Sequence, residues 1–188
     1  AFFAGIVTRQ LKPGAPAPVI PVLIGETRLG KGLFPLAIAQ AMGWPAPTEV
    51  AFSADERKMS MAASRSPIAE LCEMSGLGKK DVEEVKRWTT DTQDVFRAPY
   101  GTREESHPRR LALIGTANKY ETNRDETGNG RFLGVLCEES PSPAWSVEVP
   151  QILAEASVRF CATWEQYVQL IKTVPELVKQ HNAEEMRH

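Results

Sequence analysis

Cysteine is scarce in this sequence. The three that occur, Cys72, Cys137 and Cys161, are far apart and odd in number. They show no metal-ligand spacing, so neither a zinc site nor a disulfide framework is expected. They read as reduced, mostly packed thiols of a cytoplasmic protein. Long apolar runs are missing as well: no stretch approaches the ~20 residues that a membrane-spanning helix needs. The first residues, Ala1-Phe2-Phe3-Ala4-Gly5, lack the basic n-region of a secretory signal. Net charge is only −2, which offers nucleic acid or an anionic membrane no general attraction, so any such binding must come from a local patch. His107, His181 and His188 have no ligand spacing, and there is no internal repeat.

The chain has 188 residues, 42% apolar and 24% charged, which suits one folded domain with a sizeable core. It does not begin with Met, and the expectation is a fragment of a longer protein with further domains outside it. Residues 1–12 have the spacing of a short amphipathic helix, and Lys12 to Pro18 (KPGAPAP) is a Pro/Gly-rich connection. Val19 to Ile24 (VIPVLI) is a nearly continuous apolar run, as expected of a strand buried on both faces. A glycine-containing loop follows, then a helix over Leu33 to Met42 ended by Gly43-Trp44-Pro45. Further strands are expected at Pro67 to Cys72, Val95 to Tyr100, Leu111 to Thr116 and Phe132 to Leu136. Between Thr48 and Ser66 the pattern gives only a weak strand and a mobile stretch. Lys79 to Thr89 has helical spacing, with Val82, Val85 and Trp88 on one face. Gln151 to Val178 reads as helix broken near Pro175, with a frayed tail from Gln180. Strands alternating with helices imply an α/β sandwich with a largely parallel central sheet.

Gly25-Glu26-Thr27-Arg28-Leu29-Gly30-Lys31-Gly32 fits G-x4-G-K, between an apolar strand and an amphipathic helix that opens at Leu33. Glycines let the backbone curl so that successive N–H groups converge on phosphate oxygens. The helix start adds its positive dipole end, and Lys31 is placed to bridge β and γ phosphates. The pattern thus points to a P-loop nucleoside-triphosphate-binding core with ATP and Mg²⁺ as cofactors. Gly32 stands where Ser or Thr ordinarily supplies a hydroxyl to the metal. Such a loop also needs a carboxylate on a neighbouring strand, and Glu70 and Glu73 in IAELCE are the candidates for holding Mg²⁺ and polarising water. On a regular strand the two face opposite sides, so both reach one site only if the strand ends between them. Asn118 follows the strand Leu111 to Thr116, at the sheet edge where ligands bind in open α/β folds. Arg124 and Arg131 flank a glycine-containing loop able to deliver a guanidinium to a γ-phosphate. Arg103, His107, Arg109 and Arg110 gather positive charge around one hairpin that could track a nucleic-acid backbone.

Taken together, IAELCEMSGLGKKDVEEVKRWTT, DVFRAPYG and PRRLALIGTANKYETNRDETGNGRF resemble the virulence-associated protein E family. This resemblance implies a phage- or mobile-element-encoded P-loop ATPase related to superfamily 3 helicases and primase–helicases. The pattern along the chain gives residues 1–18 as N-terminal helix and linker, 19–139 as nucleotide-binding core and 150–188 as a C-terminal helical segment. By the same resemblance Lys31 is the phosphate lysine, Glu70 and Glu73 lie at the Walker B position, and Asn118 in Gly115-Thr116-Ala117-Asn118 is the polar sensor. Arg124 and Arg131 are arginine fingers acting across a subunit interface. DNA as partner and a homo-oligomer, of the hexameric-ring kind, are further implications. Three positions depart from the family pattern: Gly32, Arg28 where a small residue is usual, and Gly130 where a longer residue precedes the final Arg. Two alternatives stay open. One is a non-hydrolysing P-loop module serving assembly or DNA binding, and the other is a small-molecule kinase.

Overall fold

In the computed structural model the chain is described at residues 1–50, 59–61, 64–72, 74, 79–97, 101–119, 130–139 and 145–185. Helix α1 (Phe2–Leu11) leads into β1 (Ile20–Ile24) and α2 (Leu33–Ala41). Strands β2 (Thr48–Val50) and β3 (Ile68–Leu71) follow, then helix α3 (Lys79–Thr90). A hairpin of β4 (Gln93–Phe96) and β5 (Glu105–Pro108) precedes β6 (Ala112–Ala117) and β7 (Phe132–Leu136). Helices α4 (Trp145–Phe160) and α5 (Trp164–Glu185) complete the order.

Five strands form one parallel sheet in the order β2-β3-β6-β1-β7, and β4 pairs with β5 in a separate antiparallel hairpin. The apolar run of β1 has the cause inferred from sequence: it lies inside the sheet between β6 and β7, and all five of its residues are buried. Because side chains alternate along a strand, β1 feeds two cores. Ile20, Val22 and Ile24 pack with Val82, Val85 and Trp88 of α3. Leu23, with Val19 just before the strand, joins Phe2 and Ile6 of α1, Ile38 of α2, Leu153 of α4 and Val178 of α5. The result is a three-layer α/β domain, with α3 on one face and α1, α2, α4 and α5 on the other.

Four departures from the sequence expectations have physical explanations. Helix α5 runs through Pro175 without a break, and the interruption falls at Cys161 to Thr163 instead. Thr163 starts α5 with a capping box: its hydroxyl accepts from the Gln166 N–H at 3.2 Å, and the Gln166 side-chain Oε1 accepts from the Thr163 N–H at 3.2 Å. Pro175 is held by contact, since a β-carbon built on Gly130 would fall 2.7 Å from the Pro175 β-carbon. Second, the tail past Gln180 is docked rather than frayed. Asn182 is buried and clamps β7, the edge strand, by donating to the Phe132 carbonyl at 2.8 Å and accepting from the Gly134 N–H at 3.0 Å. A side-chain amide thereby satisfies backbone groups that an edge strand leaves without a neighbour. Third, β5 has no hydrophobic alternation to reveal it, because all four of its residues are exposed. Fourth, β4 starts two residues earlier than the expected strand at Val95 and stops at Phe96, because it follows the hairpin register, with Gln93 opposite Pro108.

Candidate functional site

All five strands of the sheet run the same way, so their carboxyl ends share one edge. Gly25, Cys72, Asn118 and Cys137 lie immediately past β1, β3, β6 and β7 at that edge. The Gly25–Gly32 loop is fastened there at both flanks. The Gly25 N–H donates to the Ala117 carbonyl at 3.2 Å, and the Cys137 N–H donates to the Ile24 carbonyl at 2.7 Å. Gly25 must be glycine for close approach: a β-carbon there would fall 2.5 Å from the Cys137 carbonyl oxygen. Within the loop Arg28 and Gly30 adopt left-handed φ values of 74° and 75°. Backbone that alternates hand in this way turns successive N–H groups inward. Glycine takes such a φ freely, whereas Arg28 carries a strain of about 1–2 kcal/mol there.

The Lys31 ammonium is the centre of this cluster. It donates to the Gly25 carbonyl at 2.7 Å, the Glu26 carbonyl at 2.8 Å and the Asn118 carboxamide oxygen at 3.3 Å. Gly32 then caps α2 with no side-chain hydrogen bond, and Leu33 opens that helix with its side chain about half exposed. Glu26, Thr27 and Arg28 are exposed, and Leu29 is half-buried. Glu70, on β3, lies across from the start of α2. Its Oε1 accepts a hydrogen bond from the Thr116 hydroxyl at 2.9 Å, and a β-carbon built on Gly32 would fall 3.5 Å from its Oε2. The strand pattern explains the meeting. Ile68 of β3 and Ile114 of β6 both belong to the core beneath α2, so Glu70 and Thr116, each two residues further along, face the same way. Cys137 borders the loop on the β7 side. Burial pushes its thiol up from the ordinary cysteine range, while the Lys31 ammonium pulls it the other way.

Lys31, Glu70 and Asn118 are therefore brought together with the Gly25–Leu33 segment. Glu73 and Arg124 lie outside the described residues. The sequence signal for Thr116 is a lone hydroxyl in an otherwise apolar buried strand, two residues before Asn118. Among the described residues no group of three or more His, Cys, Asp or Glu gathers as a metal cage. A Mg²⁺ ion typically takes one or two carboxylates plus substrate phosphates, and Glu70 is the carboxylate here that could hold one.

The second set of expected residues lies at the other end of the sheet. Arg131 precedes β7, and its backbone carbonyl receives the Ile20 N–H at 2.8 Å, where β1 begins. A strand of this length separates it from the loop by about 17 Å. Its guanidinium donates to the Lys86 carbonyl at 3.0 Å, so within one chain Arg131 does not reach Lys31. The hairpin also projects from this end, since β5 leads directly into the start of β6. Arg103, His107 and Arg110 are exposed on it. His107 stacks on Phe96 with ring centroids 4.9 Å apart, and Arg110 donates to the Gln10 carbonyl at 3.3 Å.

Arg109 corrects the sequence expectation of an exposed basic cluster. Its side chain is 1% exposed. It donates to Asp94 Oδ1 from Nε at 2.9 Å and Nη2 at 2.6 Å, donates to the Trp88 carbonyl, and lies over the Trp88 ring. Its donors are turned inward, which makes it a structural residue at the base of the hairpin rather than a backbone-tracking cation.

The family model of the Virulence-associated protein E-like domain matches residues 1–187. The chain belongs to that family. No curated protein sequence matches this VapE-like domain. Among solved structures it is similar to the apo NrS-1 C-terminal region (305–718), at a TM-score of 0.54 and 16% identity over 81% of this chain and 38% of that one. Two A-form apo structures of the same region give TM-scores of 0.52 and 0.51 at 16% and 13% identity, again over 81% of this chain and 37% and 38% of theirs. The VapE-like domain thus spans well under half of those chains, and at such identities the likeness speaks for the fold alone. Among the described residues no helix is long and apolar enough to cross a membrane.

Proposed function

We propose that the Gly25–Leu33 loop of this VapE-like domain is a P-loop that binds ATP, and that the domain hydrolyses it as part of a DNA-acting replication ATPase. The observation that carries this reading is the position of the Lys31 ammonium. It sits between two loop carbonyls and Asn118, at the carboxyl edge of the sheet and two residues before α2 opens at Leu33. Neutral acceptors hold it there. A polyphosphate would exchange them for anionic oxygens, adding ion-pair attraction to bonds whose donor is already charged. The first turn of α2 adds its dipole to the same spot. Mg²⁺ in this site would neutralise charge between β and γ phosphates. Glu70 is placed to hold the ion or to orient water, and Asn118 to hold a water or the γ-phosphate. The strand order supports the same reading, because β1 lies inside the sheet beside β6, which brings Lys31, Glu70 and Asn118 to one edge.

The far placement of Arg131 fits a ring-like homo-oligomer, in which an arginine of one subunit completes the site of the next. Arg103, His107 and Arg110, exposed on the hairpin, are the candidate DNA contacts. The test is ATP turnover by the full-length, oligomeric protein with DNA supplied. Turnover stimulated by DNA and abolished by Lys31→Ala is expected, and turnover indifferent to Lys31→Ala would overturn the reading.

Gly32 favours a second reading, a nucleotide-binding module that does not hydrolyse, because no hydroxyl is available at that position. On that reading Gly32→Ser changes turnover little, so a large gain in hydrolysis would reject it.

A further inference from the structure

Gly32 removes the hydroxyl that a P-loop ordinarily offers the metal, and among the described residues a carboxylate faces the space that a side chain there would take. The near neighbour of a β-carbon built at Gly32 is Glu70 Oε2, 3.5 Å away. A larger side chain at position 32 would therefore lean on a carboxylate. Glu70 does not swing freely on β3. Thr116 is buried, at 8% exposure, and its hydroxyl donates to Oε1 at 2.9 Å. That bond occupies one oxygen and turns the other toward Gly32 and the start of α2. Thr116 and Glu70 stand on adjacent parallel strands whose register is fixed by the pairing of Glu70 with Ile114, so the hydroxyl is held in place by the sheet.

We infer that Gly32, Glu70 and Thr116 form a substitute metal position, in which Glu70 Oε2 takes the place of the missing P-loop hydroxyl as direct Mg²⁺ ligand and Thr116 is the positioning residue that presents it. This rests on the phosphate-loop reading above and specifies how its metal is held. The residue types fit the ion: Mg²⁺ prefers hard oxygen ligands, accepts one carboxylate with phosphates, and demands a fixed geometry. A hydrogen-bonded partner behind a ligating carboxylate is the device that fixes such geometry, and losing one costs about 10–100-fold in metal affinity. Gly32 leaves open the space beside that oxygen, where a β-carbon would already be in van der Waals contact with it.

The test uses Mn²⁺ as a spin-active probe for Mg²⁺ and a non-hydrolysable ATP analogue. Free Mn²⁺ is followed by electron paramagnetic resonance, with analogue affinity measured separately in EDTA. Thr116→Val is expected to weaken Mn²⁺ binding in the presence of the analogue about tenfold while leaving the EDTA affinity unchanged, and Thr116→Ser is expected to restore it. Glu70→Gln, which keeps the bulk and loses the charge, is expected to abolish the tightening of analogue binding by Mn²⁺. Mn²⁺ affinity within twofold of wild type in both Thr116→Val and Glu70→Gln overturns the inference, as does Thr116→Ser behaving like Thr116→Val. Analogue binding in EDTA with no tightening by Mn²⁺ in the wild type overturns it while sparing the phosphate-loop reading. Failure to bind analogue under either condition overturns both.

Discussion

Removing one partner of the Arg109–Asp94 pair is expected to damage the fold, not a DNA contact. Both side chains are withdrawn from water, at 1% and 8% exposure. Arg109→Met leaves the Asp94 carboxylate buried without its cation, and Asp94→Leu leaves the guanidinium without its anion. Breaking a buried pair from one side costs about 3–5 kcal/mol. That is a large share of the 5–15 kcal/mol that typically separates folded from unfolded domains. The double variant Asp94→Leu/Arg109→Met leaves no orphaned charge. It loses only the bond to the Trp88 carbonyl and the contact over the Trp88 ring, so its cost is expected nearer 1–3 kcal/mol. Urea unfolding of the four proteins, followed by tryptophan fluorescence, gives the cycle directly. Single variants costing under about 1 kcal/mol, or a double variant as damaging as the sum of the singles, would refute the structural role given to Arg109.

Four further outcomes can be checked. Asn182→Ala takes away the acceptor of the Gly134 N–H and a donor to the Phe132 carbonyl, and a loss of about 1–3 kcal/mol in chemical unfolding, with faster amide exchange at Gly134, is expected. Gly25→Ala places a β-carbon 2.5 Å from a backbone oxygen, so the loop must move; loss of ATP binding in titration calorimetry, with the fold kept by circular dichroism, is expected. Arg103→Ala and Arg110→Ala should weaken DNA binding and each flatten its salt dependence by about one unit of slope, while leaving unfolding midpoints unchanged. Tyr167 is buried with its hydroxyl donating to the Pro16 carbonyl, and burial pushes its pKa from 10.0 up to about 12. Between those values the unfolded chain has lost the proton that the folded chain keeps, so stability falls as pH rises through that window. Tyr167→Phe removes that contribution: its deficit relative to wild type, set by the lost hydrogen bond below pH 10, should shrink as pH climbs toward 12 in thermal unfolding.

The sheet was legible in the sequence wherever burial imposed a pattern. The run VIPVLI reads as a strand covered on both sides and LALIGT as a strand, and both lie buried inside the sheet, where parallel strands between helices carry apolar residues on both faces. The loop was legible because G-x4-G-K between a strand and a helix is a local pattern, and Lys31 and Asn118 meet as its position after β1 and that of Asn118 after β6 require. Other features depended on partners far away in sequence. Arg109 looked like its neighbours Arg103 and Arg110 until Asp94 appeared opposite His107 in the hairpin register, buried and facing inward. Pro175 looked like a helix break, since the contact with Gly130 is made across the fold. The lone hydroxyl of Thr116 is visible in the sequence, but its partner is not, because the bond it makes runs to Glu70 on the neighbouring strand.

The central claim is that Gly25–Leu33 cradles nucleotide phosphates through Lys31. Titration calorimetry with ATP and Mg²⁺, wild type against Lys31→Ala, tests it most directly. Saturable binding by the wild type, tightened by Mg²⁺ and lost or weakened at least tenfold in a folded Lys31→Ala variant (about 1.4 kcal/mol or more), is the expected result. No binding by the wild type, or equal binding by both proteins, contradicts the claim.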